Sequence, residues 1–301
     1  MSSRDRTGVT VEGRDLTLSN LDKPLFPDFT KGEVIDYYVR AAPVLLPHVR
    51  ARAATRIRYP DGVDGQRFFE KNAPSHTPDW VRTVTIATPG SSRGRESVDY
   101  VVVDDLPTLV WCANLAALEL HIPQWRVGPR GARRDPDLMV FDLDPGPPAG
   151  LVDACRVALL LRDLLAADGL EPLAKTSGKK GMHLYVPVKE TGRTSEYAKR
   201  AAQRLEGEHP DLVVSKMEKK LRTGKVFVDW SQNNPAKTTV APYSLRAAAH
   251  PSVSTPVTWA EVEACADPSD LAFTPDEVLA RVEKDGDLLA PLLDEHTTAL
   301  P

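Results

Sequence analysis

The segment "VFDLDPGP" places two aspartates, Asp142 and Asp144, two residues apart where an apolar run meets proline and glycine. Successive side chains of a strand point to opposite faces, so both carboxylates are predicted to share one face at a strand end. Close carboxylates raise each other's proton affinity unless a cation lies between them. Oxygen ligands without a histidine cluster favour Mg²⁺ or Mn²⁺ over zinc. For this motif alone, however, an aspartate that only ends a strand before Pro-Gly is the slightly better explanation.

A second segment, "GKVFVDWSQNNPAKTT", strengthens the metal interpretation. Asp229 ends a short strand of β-branched and aromatic residues just before a polar loop, as Asp142 and Asp144 do on theirs. We expect the three aspartates to meet at one edge of one sheet. A third carboxylate allows two cations about 3.5 to 4 Å apart, which is the arrangement that stabilises attacking and leaving oxygens in phosphoryl or nucleotidyl transfer.

The segment "KTSGKKGMHLYVP" lies between these strands. Gly178 and Gly181 flank two lysines, of which the second is Lys180, with Ser177 before them and His183 after. Backbone N–H groups in such a loop can approach oxyanions, and the lysines can neutralise them, so the loop predicts triphosphate binding. It is not a Walker A loop, because a strand rather than a helix follows. A hairpin turn with exposed lysines explains the loop alone about as well.

Sequence patterns also predict the elements that position these residues. Thr30 and Glu33 form a capping box at the start of a helix in "GEVIDYYVRAAPVLLPHV". Strands are predicted in "ATRIRYP" and "RTVTIAT", and a largely buried helix in "LPTLVWCANLAALEL". The last helix, "TPDEVLARVEKDGDLLAPLL", begins with a Thr cap and a Pro at its first position. The remaining predictions are strand 138–143, helix 150–167, strands 172–176 and 182–188, helix 195–207, and strands 212–215, 225–230 and 238–242. The fold class is therefore α+β.

Length and composition limit the classes of protein. A chain of 301 residues with 42% hydrophobic and 27% charged residues is predicted to bury an ordinary globular core. No apolar run reaches the roughly 18 to 20 residues of a membrane span, and no secretory signal opens the chain, so a cytoplasmic location is expected. Cys112, Cys155 and Cys265 are far apart and lack CxxC spacing, so they are interpreted as reduced, mostly buried thiols.

Charge is unevenly distributed along the chain. The net charge is −4, but residues 175–225 contain thirteen Lys and Arg against six Asp and Glu, a balance of +7. Residues 259–301 contain two basic and eleven acidic residues, a balance of −9. The basic region suits a phosphate-bearing partner. A solvated helix face is nevertheless the better explanation of "SEYAKRAAQRLEGE" taken by itself.

Several segments together resemble a known family. The three segments quoted first, together with "LSNLDKPLFP", "YPDGVDGQRFFEKNAP" and "ALELHIPQWRVG", closely resemble the polymerase domain of bacterial DNA ligase D, within the archaeo-eukaryotic primase superfamily. The resemblance covers nearly the whole chain. It implies one primase-type domain over 1–301, with an RRM-like catalytic sheet and a second sheet with surrounding helices. Approximate lobes are expected at 1–134, contacting DNA, and 135–301, carrying catalysis.

The resemblance also implies residue roles. Metal ligands would be Asp142, Asp144 and Asp229, binding two Mn²⁺ or Mg²⁺ ions. The incoming NTP or dNTP would be held by the glycine-containing loop and residues near it: Ser177, Gly178, Lys180, Gly181, His183, His121, Gln232 and Arg246. DNA would contact Lys23, Lys31, Phe68, Phe69 and Arg222. Phe68 and Phe69 are neighbours on a strand and would face opposite ways, so one of them is expected in the core.

The resemblance implies template-dependent, and in some settings template-independent, nucleotidyl transfer to a DNA 3′ end in non-homologous end joining. The expected partners are DNA with gaps, overhangs or breaks, nucleoside triphosphates, Ku and a separate DNA ligase, at the nucleoid and without a membrane. The chain ends without ligase or nuclease modules, so a free-standing polymerase or an excised domain is expected. One departure is Ile57, where the family usually has a lysine. Recognition of a DNA 5′-phosphate is therefore expected to be weak.

Three other functions remain open. One is a gap-filling polymerase of excision repair. Another is a haloacid-dehalogenase-type phosphatase, in which the first Asp of DxD is the nucleophile, although Pro145 stands where that family expects Thr or Val. The third is a non-catalytic nucleic-acid-binding module, for which three aspartates beside a phosphate backbone would be unfavourable.

Overall fold

The computed structural model describes residues 6–88, 96–295 and 298–301, and twenty strands and six α-helices occur within them. The helices are α1 (Lys31–Val49), α2 (Leu106–Asn114), α3 (Leu151–Ala167), α4 (Thr194–Glu208), α5 (Trp259–Ala264) and α6 (Pro275–Asp285). The first ten strands are β1 (Arg6–Val11), β2 (Arg14–Ser19), β3 (Pro24–Phe26), β4 (Phe29–Thr30), β5 (Ala53–Arg58), β6 (Phe68–Glu70), β7 (Thr83–Ala87), β8 (Ser97–Val102), β9 (Ala117–Ile122) and β10 (Trp125–Val127). The other ten are β11 (Arg133–Pro136), β12 (Leu138–Pro145), β13 (Leu173–Thr176), β14 (Met182–Pro187), β15 (Val213–Val214), β16 (Val226–Asp229), β17 (Thr239–Val240), β18 (Leu245–Arg246), β19 (Ser252–Val253) and β20 (Pro256–Val257).

Two large sheets organise the chain. Sheet A has the strand order β15-β16-β12-β14-β13-β20, and its inner part follows the chain as β12-α3-β13-β14-α4-β16. This βαββαβ connectivity, with the central order 4-1-3-2, is that of an RRM-like sheet. Sheet B has the order β17-β9-β5-β8-β7, with β6 paired to β5. The predicted α+β class, with an RRM-like sheet and a second sheet, is confirmed.

Strand β12 is a central strand of sheet A, and both of its faces are covered by other side chains. Met139, Phe141 and Leu143 belong to one core cluster with the buried side of α3 and α4. On the opposite face, Leu138 and Val140 pack in a smaller cluster with Tyr185. The second face becomes acidic where the apolar residues end, at Asp142 and Asp144, because side chains alternate along the strand.

A side chain completes the pairing of β12 where its neighbour ends. Strand β16 stops at Asp229, opposite Asp142, so Val140 has no backbone partner on that side. The Asn233 amide takes that place: its Oδ1 accepts from the Val140 N–H at 2.8 Å, and its Nδ2 donates to the Val140 carbonyl at 2.7 Å. Because unpaired buried backbone groups are costly, this amide allows β16 to end beside the carboxylates without leaving β12 unsatisfied.

Helix α1 confirms the helix predicted near the N-terminus. Thr30 and Glu33 form the complete capping box, with the Thr30 N–H donating to Glu33 at 2.7 Å. The buried side of α1 packs in the core cluster of sheet B, where the Tyr37 hydroxyl donates to the Tyr243 carbonyl at 2.8 Å. The Tyr38 hydroxyl donates to the Leu118 carbonyl of β9 at 2.7 Å. The helix therefore joins sheet B to the chain that follows β17.

Two helix predictions were wrong in extent. "LPTLVWCANLAALEL" divides into α2, which ends at Asn114, and strand β9. Ala116 has a positive φ of 58°, which ends the helical path, and β9 then pairs with both β5 and β17, so strand pairing decides the second half. Helix α6 ends at Asp285 because Gly286 adopts a φ of 70°, a conformation that glycine enters easily. Residues Ala290–Leu293 form a separate 3₁₀ turn.

Strand β17 lies in sheet B although it follows the strands of sheet A in the chain. The division into lobes at residue 134 remains a prediction. Cys112, Cys155 and Cys265 are free and buried, as expected. Within the described ranges, no helix is both long and apolar enough to cross a bilayer.

Candidate active site

One row of residues crosses four strands of sheet A. In the antiparallel pairing, Asp142 on β12 lies opposite Asp229 on β16 and, on its other side, opposite His183 on β14. His183 in turn lies opposite Lys175 on β13. Directly opposed residues share a face, so two carboxylates, an imidazole and an amine form a continuous line. Asp144 lies on the same face two residues further along β12.

Basic side chains already neutralise Asp144. Its Oδ1 is 2.9 Å from Lys180 Nζ, and its Oδ2 is 3.4 Å from Arg222 Nη1. Lys180 Nζ also donates to the Pro145 carbonyl at 2.8 Å, while the Arg222 guanidinium lies over the Phe227 ring. The pair between Lys180 and Asp144 is well exposed to solvent, so it is weak enough to exchange for a ligand.

Asp229 is more buried than Asp144 and is fixed by the turn that follows it. Its Oδ1 accepts from the Ser231 N–H at 3.0 Å and from the Ser231 hydroxyl, and its Oδ2 accepts from Gln232 Nε2 at 2.9 Å. Lys237 donates to the Ser231 hydroxyl and lies 4.0 Å from Asp229 Oδ2. Sequence reasoning singled out Gln232 but missed Lys237.

The centre of the row places the carboxylate of Asp142 beside the imidazole of His183, and the pKa values of both groups are lowered. Burial acts to raise the pKa of Asp142, but His183, Lys175 and Arg246 together bring that pKa below its ordinary value. Burial, with Lys175 next, lowers the pKa of His183 to about 4. His183 Nε2 lies 3.3 Å from Asp142 Oδ1, while its buried Nδ1 has no hydrogen-bond partner among the described residues. An unpaired buried nitrogen at this position is a place where a ligand could bind.

The glycine-containing loop is held close to this row. The Ser177 hydroxyl accepts from the N–H groups of Lys179 and Gly181 at 3.3 and 3.2 Å. Gly178 has a φ of 73°, and a Cβ there would lie 2.5 Å from the Arg246 side chain. A Cβ at Gly181 would lie 2.3 Å from the Leu143 carbonyl oxygen. Both glycines are therefore required for the loop to approach β12 and Arg246.

The side chains do not form a finished metal-binding cluster. Across residues 6–88, 96–295 and 298–301, no three His, Cys, Asp or Glu side chains are arranged to hold an ion. Each of the three aspartates has its own basic or amide partners instead. The donor set still fits a hard divalent cation, because Asp142, Asp144 and Asp229 share one sheet face and supply only carboxylate oxygens.

A buried glutamate connects the remaining predicted nucleotide-binding residues. Glu119 Oε2 lies 2.8 Å from His121 Nε2 and 3.6 Å from Arg246 Nη1, and its Oε1 lies 3.8 Å from Lys179 Nζ. Its Oε1 also accepts from the Ala247 N–H at 3.0 Å. Burial acts to raise the pKa of Glu119, but His121, Arg246 and the Ala247 N–H bring it to about 2. Sequence reasoning missed Glu119, although "LELH" places it on the same strand face as His121.

The lysines predicted to bind DNA form a second basic group. Lys23 pairs with Asp61 at 2.9 Å. Lys31 is buried and donates from Nζ to the Ser19 carbonyl at 2.5 Å. Burial, with Lys23 and Arg58 next, lowers the pKa of Lys31 to about 8. Arg58 is therefore a third cation near Lys31, and sequence reasoning did not assign it a role.

The prediction that Phe68 or Phe69 lies in the core is wrong. Phe68 is 37% exposed and Phe69 is 43% exposed. Strand β6 has three residues and, within the described part of the chain, pairs with β5 alone, so it is an edge strand and both rings keep exposed surface. Both rings are therefore available to a ligand.

An RRM-like sheet with strand-borne aspartates beside a glycine- and lysine-containing loop defines the class of primase-type polymerase folds. A family model described as "LigD, primase-polymerase domain" matches residues 30–289. The chain belongs to this family.

Relatives and a solved structure agree with that assignment. The chain is 45% identical over 298 residues to the multifunctional non-homologous end joining DNA repair protein LigD of Mycobacterium tuberculosis, and 32% identical over 277 residues to the bifunctional non-homologous end joining protein LigD of Bacillus subtilis. These matches cover 94% and 90% of the chain but only 38% and 43% of the relatives. The polymerase domain of Mycobacterium tuberculosis ligase D in complex with DNA matches with a TM-score of 0.86 at 45% identity, over 92% of this chain and 98% of that one.

Proposed function

We propose that the chain adds nucleotides from NTP or dNTP substrates to a DNA 3′ end, with a template and in some settings without one, at gaps and breaks repaired by non-homologous end joining. The observation that carries the proposal is the row containing Asp229 and Asp142, with Asp144 and the loop of Lys180 beside it. The DNA complex of the solved relative and the end-joining names of the LigD relatives support the same substrate class.

The side chains have distinct roles in this proposal. Asp142, Asp144 and Asp229 would hold two Mn²⁺ or Mg²⁺ ions, which would lower the pKa of the attacking hydroxyl and neutralise charge on the leaving pyrophosphate. Gln232 and Ser231 orient Asp229, so its lone pairs point in a fixed direction before substrate arrives.

The cations around the row bind the substrate's negative charge. Lys180 pairs with Asp144 and would bind phosphates of the incoming nucleotide, whereas Arg222, which pairs with the other oxygen of Asp144, would contact DNA. Ser177 holds the N–H groups of the glycine-containing loop, and His183 keeps one nitrogen free of partners. The exposed rings of Phe68 and Phe69 would stack on template bases, a contact that every base can make.

The experiment that tests the proposal is extension of a labelled primer on gapped, 5′-phosphorylated DNA, with Mn²⁺ or Mg²⁺ and each NTP and dNTP in turn. We expect templated addition that requires the divalent ion. Binding of DNA without any addition would favour a non-catalytic module, and release of phosphate without DNA would favour a phosphatase. The phosphatase alternative has no structural support, because β12 lies between two antiparallel neighbours. The two repair pathways are separated by measuring nucleotide addition on end-joining substrates and on excision-repair substrates, with Ku and a ligase added. The pathway whose substrate is extended more is favoured.

A further inference from the structure

Glu119 is a buried carboxylate whose ion pairs connect β9 to the glycine-containing loop and to Arg246 on β18. It lies on β9 of sheet B, it is almost fully buried, and its partners come from three separate segments. None of the roles assigned above includes this residue. Burying a carboxylate is costly unless its charge is compensated. The question is therefore what Glu119 contributes to the cations beside it.

The distances divide its partners into two kinds. His121 and the Ala247 N–H lie at hydrogen-bond distance, 2.8 and 3.0 Å, and so fix the carboxylate itself. Arg246 and Lys179 lie at 3.6 and 3.8 Å, which is within Coulomb range but beyond a hydrogen bond. Glu119 therefore attracts these two cations without using their N–H groups.

The cations consequently keep their donors free. Among the residues that the structure describes, neither the Arg246 guanidinium nor the Lys179 ammonium donates a hydrogen bond, and Arg246 Nε is buried without a partner. The Arg246 side chain also packs closely against Gly178 of the loop, so closely that a Cβ at Gly178 would collide with it. Two cations with free donors beside a glycine-containing loop are suited to bind a polyphosphate.

We infer that Glu119 is a positioning residue for the nucleotide triphosphate, acting through Arg246 and Lys179. It holds both cations in place before the nucleotide binds and leaves their donors unsatisfied for the phosphates. This inference rests on the proposed nucleotidyl transfer and extends it to a residue outside the ligand-contacting set. The carboxylate also repels the phosphates, and the sign of the change in ATP affinity on removing its charge shows which of the two effects is larger.

The test is Glu119→Gln, which keeps the side-chain shape and removes the charge. We measure the apparent KM and kcat for ATP and dATP in primer extension, and binding of ATP with Mg²⁺ in the absence of DNA. We expect KM and the ATP dissociation constant to rise roughly 5- to 50-fold, with a smaller change in kcat. Unchanged ATP binding would show that Glu119 does not position the cations, and tighter binding would show that it repels the ligand; either result would overturn the inference.

A double-mutant cycle shows whether Glu119 acts through Arg246. Arg246→Ala alone should raise KM, and Glu119→Gln added to Arg246→Ala should raise it little further. Fully additive effects would contradict the inference. If the unaltered protein does not extend the primer, the proposed function is wrong. The ATP-binding measurement would still decide the role of Glu119.

A matched control separates positioning from stability. Asp287 forms a similarly buried pair with His48, also at 2.8 Å, and among the described residues neither residue pairs with Asp142, Asp144 or Asp229. Asp287→Asn should reduce the melting temperature without raising KM. If Glu119→Gln does not fold, Glu119→Asp keeps the charge but withdraws it by one methylene, and an intermediate rise in KM is expected. Normal ATP affinity in Glu119→Asp together with normal folding would again overturn the inference.

Discussion

At the scale of single residues, the site consists of charges that neutralise one another until a ligand arrives. Asp144 is paired with Lys180, and Asp229 accepts hydrogen bonds from Ser231 and Gln232. Exposed ion pairs contribute only about 0 to 1 kcal/mol, so Lys180 can leave Asp144 at little cost. Hydrogen bonds therefore fix Asp229, whereas the weak pair leaves Asp144 and Lys180 free to exchange partners.

The first prediction concerns the three aspartates as one unit. Asn at Asp142, Asp144 or Asp229 should abolish nucleotide addition and leave the fold intact, because Asn preserves shape and removes a repelling charge. Primer extension measures activity, and circular dichroism with a thermal melt measures folding. Near-normal extension by Asp229→Asn would rule out a three-carboxylate site.

The second prediction assigns Lys180 and His183 to the triphosphate rather than to DNA. Ala at either position should raise the apparent KM for nucleotide and lower kcat, with DNA affinity little changed, because both side chains lie beside the row of carboxylates. Fluorescence anisotropy with labelled DNA supplies the second measurement. An equal loss of DNA binding in the absence of nucleotide would count against the assignment.

At the scale of elements, strand periodicity predicted most of the site. "VFDLDPGP" placed Asp142 and Asp144 on one face because a strand alternates with a period of two, and the capping box at Thr30 marked the start of α1. Periodicity could not show which strands are neighbours. Asp142 and Asp229 lie opposite each other only because β12 pairs with β16. Glu119 likewise accepts a hydrogen bond from the Ala247 N–H, 128 residues further along the chain. The same limit explains the error at Phe68 and Phe69, which depends on β6 lying at an edge.

The third prediction belongs to strand β6. Ala at Phe68 or Phe69 should weaken binding to gapped DNA by about 1 to 3 kcal/mol for each lost base contact and change stability by about 0.5 kcal/mol or less. Val39 on α1 is a matched control, because it is an exposed apolar residue with 39% of its surface accessible. Val39→Ala should leave DNA binding unchanged. Strong destabilisation by either Phe substitution, with normal DNA affinity, would indicate a packing role instead.

At the scale of the whole molecule, basic and acidic residues are concentrated in different segments of the chain. The acidic segment 259–301 masks the basic segment 175–225 in the net charge of −4. A second basic group forms around Lys23, Lys31 and Arg58, far from the carboxylates in sequence. Binding to a polyanion should therefore depend strongly on salt despite the acidic total, because neutralised phosphates release their counterions.

The fourth prediction concerns Ile57 and the DNA 5′-phosphate. The unaltered chain should show only a weak preference for 5′-phosphorylated over 5′-hydroxyl gaps. Ile57 is only 6% exposed, so Ile57→Lys should lower the melting temperature, and it should strengthen the preference by about 1.5 to 3 kcal/mol where the ammonium group reaches the phosphate, an effect that shrinks as salt rises. Binding of both substrates at two salt concentrations measures this, with Ile57→Leu as the uncharged control. A strong preference that Ile57→Lys leaves unchanged would show that other residues form the pocket. Arg58 would then be the first candidate, because it lies near Lys31 whereas Ile57 lies opposite Glu119.

The amide of Asn233 has a consequence that hydrogen exchange can detect. The Val140 N–H is protected on one side by a side chain rather than by a neighbouring strand. Its protection should therefore report on the turn after Asp229 rather than on global unfolding. In Asn233→Ala, the amide of Val140 should exchange faster while those of Phe141 and Leu143 stay slow. One amide in the middle of β12 would then serve as a local probe of how firmly Asp229 is held.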